Sequence, residues 1–159
     1  MTGPHHDEEP AEHLRFARWL SALETVAEAD EADLVAAVLR DPDANMAESA
    51  VGRHLDRRAA EMLTDPRFTT WARTLADVIA ERHFPARRLG EWSLLRAITL
   101  GEPWAVEDLL GATDWCQRMV PSTAIPTAPD ALELLAERGR TRRIRVAAGL
   151  RLRQVERSS

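Results

Sequence analysis

Apolar residues recur at helical spacing along almost the whole chain, and the interruptions between them are proline- and glycine-marked joints. Phe16, Trp19, Leu20, Leu23, Val26 and Ala27 fall at i, i+3, i+4, i+7, i+10 and i+11, one stripe of one helix. A second helix spans about 32–40, with Leu34, Val35, Val38 and Leu39, and ends at Asp41-Pro42-Asp43. Proline favours the first turn of a new helix, so Asp41 is the expected N-cap of a third helix running to about Leu63. Thr64-Asp65-Pro66 repeats that punctuation. The fourth helix then carries Phe68, Trp71, Ala72, Leu75, Val78 and Ile79 on one stripe. Phe84-Pro85 opens a fifth helix through Leu94, Leu95 and Ile98, and Gly101-Glu102-Pro103 closes it. A sixth helix is expected over 104–119, followed by a proline-rich loop over 121–129. A seventh is expected over 131–137, with Gly139 as its C′ residue, and an eighth over 141–155.

No segment alternates apolar and polar residues as a strand would. The expectation is an all-α class: about eight helices in antiparallel hairpins joined by short connections. Residues 1–10 read as a flexible acidic tail and 11–157 as a single helical domain. The stripes place Trp19, Leu23, Trp71, Leu75, Leu95, Leu110 and Ala148 in the core.

Composition excludes several classes of function. No basic region precedes an apolar one at the start, and no apolar run is long enough to span a bilayer, so neither secretion nor a membrane is expected. Cys116 is the only cysteine, which rules out an internal disulfide and suits a cytoplasmic protein. All 21 basic residues are arginine, a bias expected from the codon usage of a GC-rich bacterial genome rather than from selection for arginine chemistry. Net charge is −5 but unevenly spread. Residues 1–33 hold nine acids and two Arg, whereas 138–159 hold eight Arg and one Glu. Such opposed ends allow one copy to attract another, so a homo-oligomer is a possible assembly.

Two segments resemble a HEAT-type repeat. The first runs from Leu34 through Asp41-Pro42-Asp43 to Ala50 and Leu55; it is similar to the family's apolar A-helix, Asp-Pro-Asp turn and Ala-rich B-helix. The second runs from Ala131 to Gly139 and on through Ile144, Arg145, Ala147, Ala148 and Leu152, similar to the B-helix order of apolar, Arg, small, small, Leu. Small B-helix residues let neighbouring hairpins approach closely. Ala47 stands where the family's Arg falls, Leu55 is one place late, and residues 68–119 lack the signature. The resemblance implies a short HEAT-like solenoid; an irregular helical bundle is the alternative.

Catalytic signatures are missing. His5, His6, His13, His54 and His83 form no H-E-x-x-H or i, i+4 pair, and a lone cysteine makes a structural zinc site improbable. No nucleophile elbow and no Gly-rich phosphate loop occur. The expectation is therefore no catalytic residue, no metal and no cofactor, with Cys116 a buried thiol.

Two candidate binding sites stand out. On the sixth helix Val106, Leu109, Leu110, Thr113 and Cys116 share a stripe, while Trp104 and Trp115 lie nearly opposite with Asp108 and Gly111 between them. That helix is either central and buried on both sides, or it offers a Trp-lined groove containing Asp108. The other site is the C-terminal cluster Arg138, Arg140, Arg142, Arg143 and Arg145, with Arg151 and Arg153 beyond it. It suits a solvated face or an anionic partner. The first functional expectation is a non-enzymatic adaptor or scaffold binding a protein or peptide through a helical-repeat surface. Nucleic-acid binding or modification through the Arg-rich end is the second, and a ligand binder or enzyme centred on the sixth helix is the third.

Overall fold

The computed structural model describes residues 8–122, 125 and 128–158. Helix accounts for 78% of the described residues and no strand occurs among them, so the all-α class holds. In order the helices are α1 (Glu8–Thr25), α2 (Glu31–Leu39), α3 (Ala44–Glu61), α4 (Phe68–Ile79) and α5 (His83–Leu100). They continue with α6 (Val106–Leu110), α7 (Asp114–Met119), α8 (Pro129–Arg138) and α9 (Arg142–Arg157). A single 3-10 turn, Glu28–Asp30, leads into α2. The chain divides into two compact units, Met1–Glu61 with Arg67–Leu89 and Met62–Pro66 with Gly90–Ser159.

In the first unit α1 packs on α2 and α3, and α2 also packs on α3 and α4. Leu23, Val35, Val38, Leu55, Leu75 and Ile79 form its apolar centre, with Phe68 and Trp71 tilted against each other at 5.5 Å. The small side chains Ala47, Ala50 and Ala59 are wholly buried on α3, which lets its neighbours approach its backbone. In the second unit α8 and α9 fold back on each other across Gly139, Arg140 and Thr141, and α7 packs on α9. Leu95, Leu109, Leu132, Leu135, Ile144 and Ala148 are its buried centre.

Leu23, Trp71, Leu75, Leu95 and Ala148 are buried as their stripes require. Several other expectations need correction. Asp41 does not cap α3: its carboxylate accepts the Asp43 N–H, and Asp43 in turn accepts the Met46 N–H at 3.0 Å. Proline at position 42 therefore lies in the turn before the cap, and the helix begins two residues later. Trp19 is only half-buried, because its indole N–H must reach the Asp41 carboxylate at 3.0 Å. Gly139 is not left-handed (φ −56°); glycine is needed there for space, since a Cβ would lie 2.6 Å from the Leu135 carbonyl oxygen. The left-handed glycine is Gly101 (φ 68°), where Glu102 N–H bonds back to Ala97 and Gly101 N–H to Ile98, closing α5 in a Schellman turn. Residues 1–7 of the expected tail lie outside the described residues, and residues 8–10 already belong to α1. Within the proline-rich loop, 123, 124, 126 and 127 also lie outside them, and Pro129 opens α8.

Candidate functional site

The expected sixth helix is interrupted, and this changes the site built upon it. α6 ends at Leu110 and α7 starts at Asp114. Thr113 is the reason: in an extended conformation, its hydroxyl oxygen accepts the Cys116 N–H as an N-cap. Its own N–H and hydroxyl both donate to the buried carboxylate of Glu91, at 2.7 and 2.8 Å. Gln117, fully buried, donates to the Leu109 carbonyl at 2.8 Å and accepts the Arg140 N–H at 2.9 Å. It thereby satisfies the end of α6 and ties the α8–α9 joint to it. The break shifts the helix phase. Leu109 is buried while Leu110 is only half-buried, correcting the expectation for Leu110.

Trp104, Asp108 and Trp115 are therefore not brought together along one helix. Trp115 stands edge-on against the buried Trp92, ring centroids 5.4 Å apart, and serves packing. Asp108 is exposed on α6. Trp104 precedes α6 and lines a groove of about 630 Å³ whose walls include neither Asp108 nor Trp115. One wall is the turn carrying Gly101, Glu102, Pro103, Trp104 and Val106; the other is the face of α8 carrying Asp130, Glu133, Leu134 and Glu137. The α8 residues fall at i, i+3, i+4 and i+7, so a single helix face presents three carboxylates. With Glu102, four acidic side chains line the same groove as one half-buried indole, and none has an ion-pair partner among the described residues. Sequence reasoning missed the α8 wall because Glu133 and Glu137 look like ordinary solvated positions until the turn at Gly101 brings Trp104 opposite them.

The Arg-rich end is only partly free. Arg140 pairs with Asp114 at 3.1 Å and donates to the Ala112 carbonyl at 3.1 Å. Arg145 is half-buried and donates to the Gly139 carbonyl at 2.8 Å. Arg138, Arg142 and Arg143 are exposed. Two of the five expected residues thus hold the α8–α9 joint rather than facing a ligand.

The first unit contains a second cluster that sequence reasoning also missed. Glu31, at the start of α2, is almost fully buried. Its Oε1 accepts the Trp71 indole N–H at 3.0 Å, and its Oε2 accepts Arg58 Nε at 3.0 Å. His54, also buried, lies with Nε2 2.6 Å from the same Oε2. Arg57 donates from its guanidinium to His54 Nδ1 at 3.0 Å and to the Leu23 carbonyl at 3.1 Å. An arginine can only donate, so Nδ1 accepts and the hydrogen resides on Nε2, directed at Glu31. Burial pushes the Glu31 carboxyl up, but the hydrogen bonds from His54, Arg58 and Trp71 and the charge of Arg58 outweigh it and hold the pKa at about 2. Arg58 is correspondingly raised: burial works against its charge, and the bond and charge of Glu31 prevail. The His–carboxylate pairing resembles the orienting half of a catalytic dyad in geometry alone. Arg57 already occupies the nitrogen that would have to face a substrate, so the pair has no free base.

No group of three or more His, Cys, Asp or Glu side chains among the described residues is placed to hold a metal ion. Cys116 is wholly buried. No described helix is long and apolar enough to cross a membrane. No protein-family model, no curated protein and no solved structure matches the chain.

Proposed function

We propose that this chain is a non-enzymatic adaptor, a short HEAT-like stack of helical hairpins acting in the cytoplasm, that holds a basic segment of a partner protein in the Trp104 groove. One observation carries the reading: four carboxylates without ion-pair partners among the described residues share one groove with a half-buried tryptophan. A guanidinium or ammonium group entering that groove gains Coulomb attraction and a cation–π contact with the indole. Its aliphatic stem lies along Leu134 and Val106, as long basic side chains do on apolar surface. The repeat reading is supported by the packing of α2 on α3 and of α8 on α9, the two segments with the HEAT-type pattern, and by their buried Ala47, Ala50 and Ala148. Nucleic-acid binding through the Arg-rich end draws less support, because Arg140 and Arg145 are engaged within the fold.

The test is a titration of the full chain with short labelled peptides, one rich in Arg and Leu and one rich in Glu and Leu, alongside labelled duplex DNA. Saturable binding of the Arg peptide alone, lost in Trp104→Ala and in Glu133→Arg, is the expected result. Loss of roughly 2 kcal/mol or more on removing Trp104 fits an interface anchor. Equal affinity for the two peptides sinks the proposal, and a preference for duplex DNA moves the site to the Arg-rich end.

A further inference from the structure

The outer face of α9 is as unsatisfied as the Trp104 groove, with the opposite sign. Arg143, Val146, Leu150, Arg153 and Arg157 fall at i, i+3, i+7, i+10 and i+14, a single stripe on the helix. Ile144 and Ala148, on the other side, are buried. Val146 and Leu150 are 52% and 50% exposed, unusually open for large aliphatic residues. Arg143, Arg153 and Arg157 are exposed and have no hydrogen-bond or ion-pair partner among the described residues. No acidic residue falls on the stripe: at about 100° per residue, Glu156 is set off from its centre by about a quarter turn. From Arg143 to Arg157 the stripe is roughly 21 Å long at 1.5 Å per residue.

The same chain therefore carries a cationic, aliphatic ridge and an anionic groove with an indole and the exposed Val106. Neither satisfies the other within one molecule: the groove's walls contain no residue of α9. We propose that the occupant of the groove is α9 of a second copy of this chain. This rests on the reading of the groove given above and names the basic segment it receives. Charge complementarity selects a second copy over an anionic surface. The chain as a whole is negative, at −5, which disfavours a general polyanion, whereas the groove supplies carboxylates and apolar surface together. The contact joins two different surfaces. It closes if two copies exchange α9 stripes reciprocally about a two-fold axis, and otherwise propagates head to tail.

Analytical ultracentrifugation of the full chain tests this. Association that grows with protein concentration and weakens as salt is raised is expected, because exposed charges are screened beyond about 10 Å at 0.1 M salt. The stripe variant Arg143→Glu/Arg153→Glu and the groove variant Glu133→Arg/Glu137→Arg each weaken association by on the order of tenfold or more, since each sets like charges against each other. Mixed one to one, the two variants associate with each other, because the reversed stripe then meets the reversed groove and the native stripe meets the native groove. That rescue also shows that both variants are folded, as does unchanged circular dichroism. A wild-type chain that stays monomeric at low salt overturns the proposal, as does failure of the mixture to associate. Association that survives both charge reversals overturns it too. A monomeric chain that still binds the Arg-rich peptide leaves the groove reading standing while this inference falls. A monomer that binds anionic vesicles through α9 gives the stripe a different occupant.

Discussion

Glu31 in the first unit and the carboxylates around Trp104 in the second show two opposite uses of acid on a helix. Glu31 is buried, and His54, Arg58 and Trp71 all direct donors at it. Glu102, Asp130, Glu133 and Glu137 line an open groove and meet no cation among the described residues. Burying an ion is costly unless its partners are in place, so the first arrangement persists only as a complete set. The second keeps its water and remains available to whatever enters. A charge that the fold has already neutralised reports on architecture, and one it leaves unanswered reports on a partner. In the first unit, a groove of about 560 Å³ lined in part by Phe16, Met46 and Phe84 already holds cations of the fold itself. There Arg53 lies over Phe16 and Arg88 over Phe84, and Asp56 pairs with Arg88 at 2.9 Å.

The contrast predicts a wide gap between two alanine substitutions. Glu31→Ala leaves the buried His54 without its acceptor and Arg58 with only Glu28 and Glu61, and is expected to cost roughly 3–5 kcal/mol, the usual loss when one member of a buried pair is removed. Glu133→Ala should lie within about 0.5 kcal/mol of wild type, as surface changes do. Urea unfolding measures both, and equal losses would dissolve the distinction. Leu75→Ala, in the apolar centre of the first unit, is expected at roughly 2–5 kcal/mol from lost apolar burial and the cavity left behind.

The same cluster predicts a pH dependence of defined sign. Glu31 is held at about 2 against an ordinary 4.5, so as pH falls the unfolded chain takes up the proton first. Its contribution is fully present above 4.5 and declines as pH drops toward 2, amounting to roughly 3 kcal/mol in all. Unfolding free energies measured from pH 6 to pH 2 should slope more steeply for wild type than for Glu31→Gln. Parallel slopes would mean that other carboxylates carry the acid sensitivity. A smaller effect belongs to the cap that divides α6 from α7: Thr113→Ala is expected to cost about 0.5–2 kcal/mol, read as a lower thermal midpoint.

Helix identity was legible because stripes such as Phe68, Trp71, Leu75 and Ile79 are long, regular and bounded by proline or glycine. The failures came where a tertiary polar contact overrides a local pattern. Thr113 sits on the apolar stripe of residues 106–116, and only the presence of Glu91, far away in sequence, turns it into a cap. Its neighbours Gly111 and Asp114 were the available signal: a small residue, then a capping hydroxyl, then an acid in the first turn. Glu31 had no such signal. It is one of nine acids in the first 33 residues, and nothing local separates it from Asp30 or Asp33. Of the candidate site, Trp104 was legible as an aromatic out of phase with its helix. Its acidic wall was not, since that wall depends on where α8 lies.

The smallest expected effect is the most direct reading of the groove. Glu133 and Glu137 stand one turn apart on α8, and like charges at that spacing destabilise a helix by about 0.2–0.5 kcal/mol. Glu137 also lies in the last turn of α8, beside Arg138, where the helix dipole disfavours a negative charge by a similar amount. With no ion pair among the described residues to offset these terms, Glu137→Gln should stabilise the chain by a few tenths of a kcal/mol at low salt. The gain should shrink as salt is added, because screening removes the repulsion it relieves. Binding of the Arg-rich peptide should weaken in the same variant. A residue whose removal raises stability and lowers affinity is held in place by its partner's charge rather than by the fold. If Glu137→Gln instead destabilises the chain, the carboxylate has a partner within the fold, and the groove loses the feature that sets it apart from Glu31.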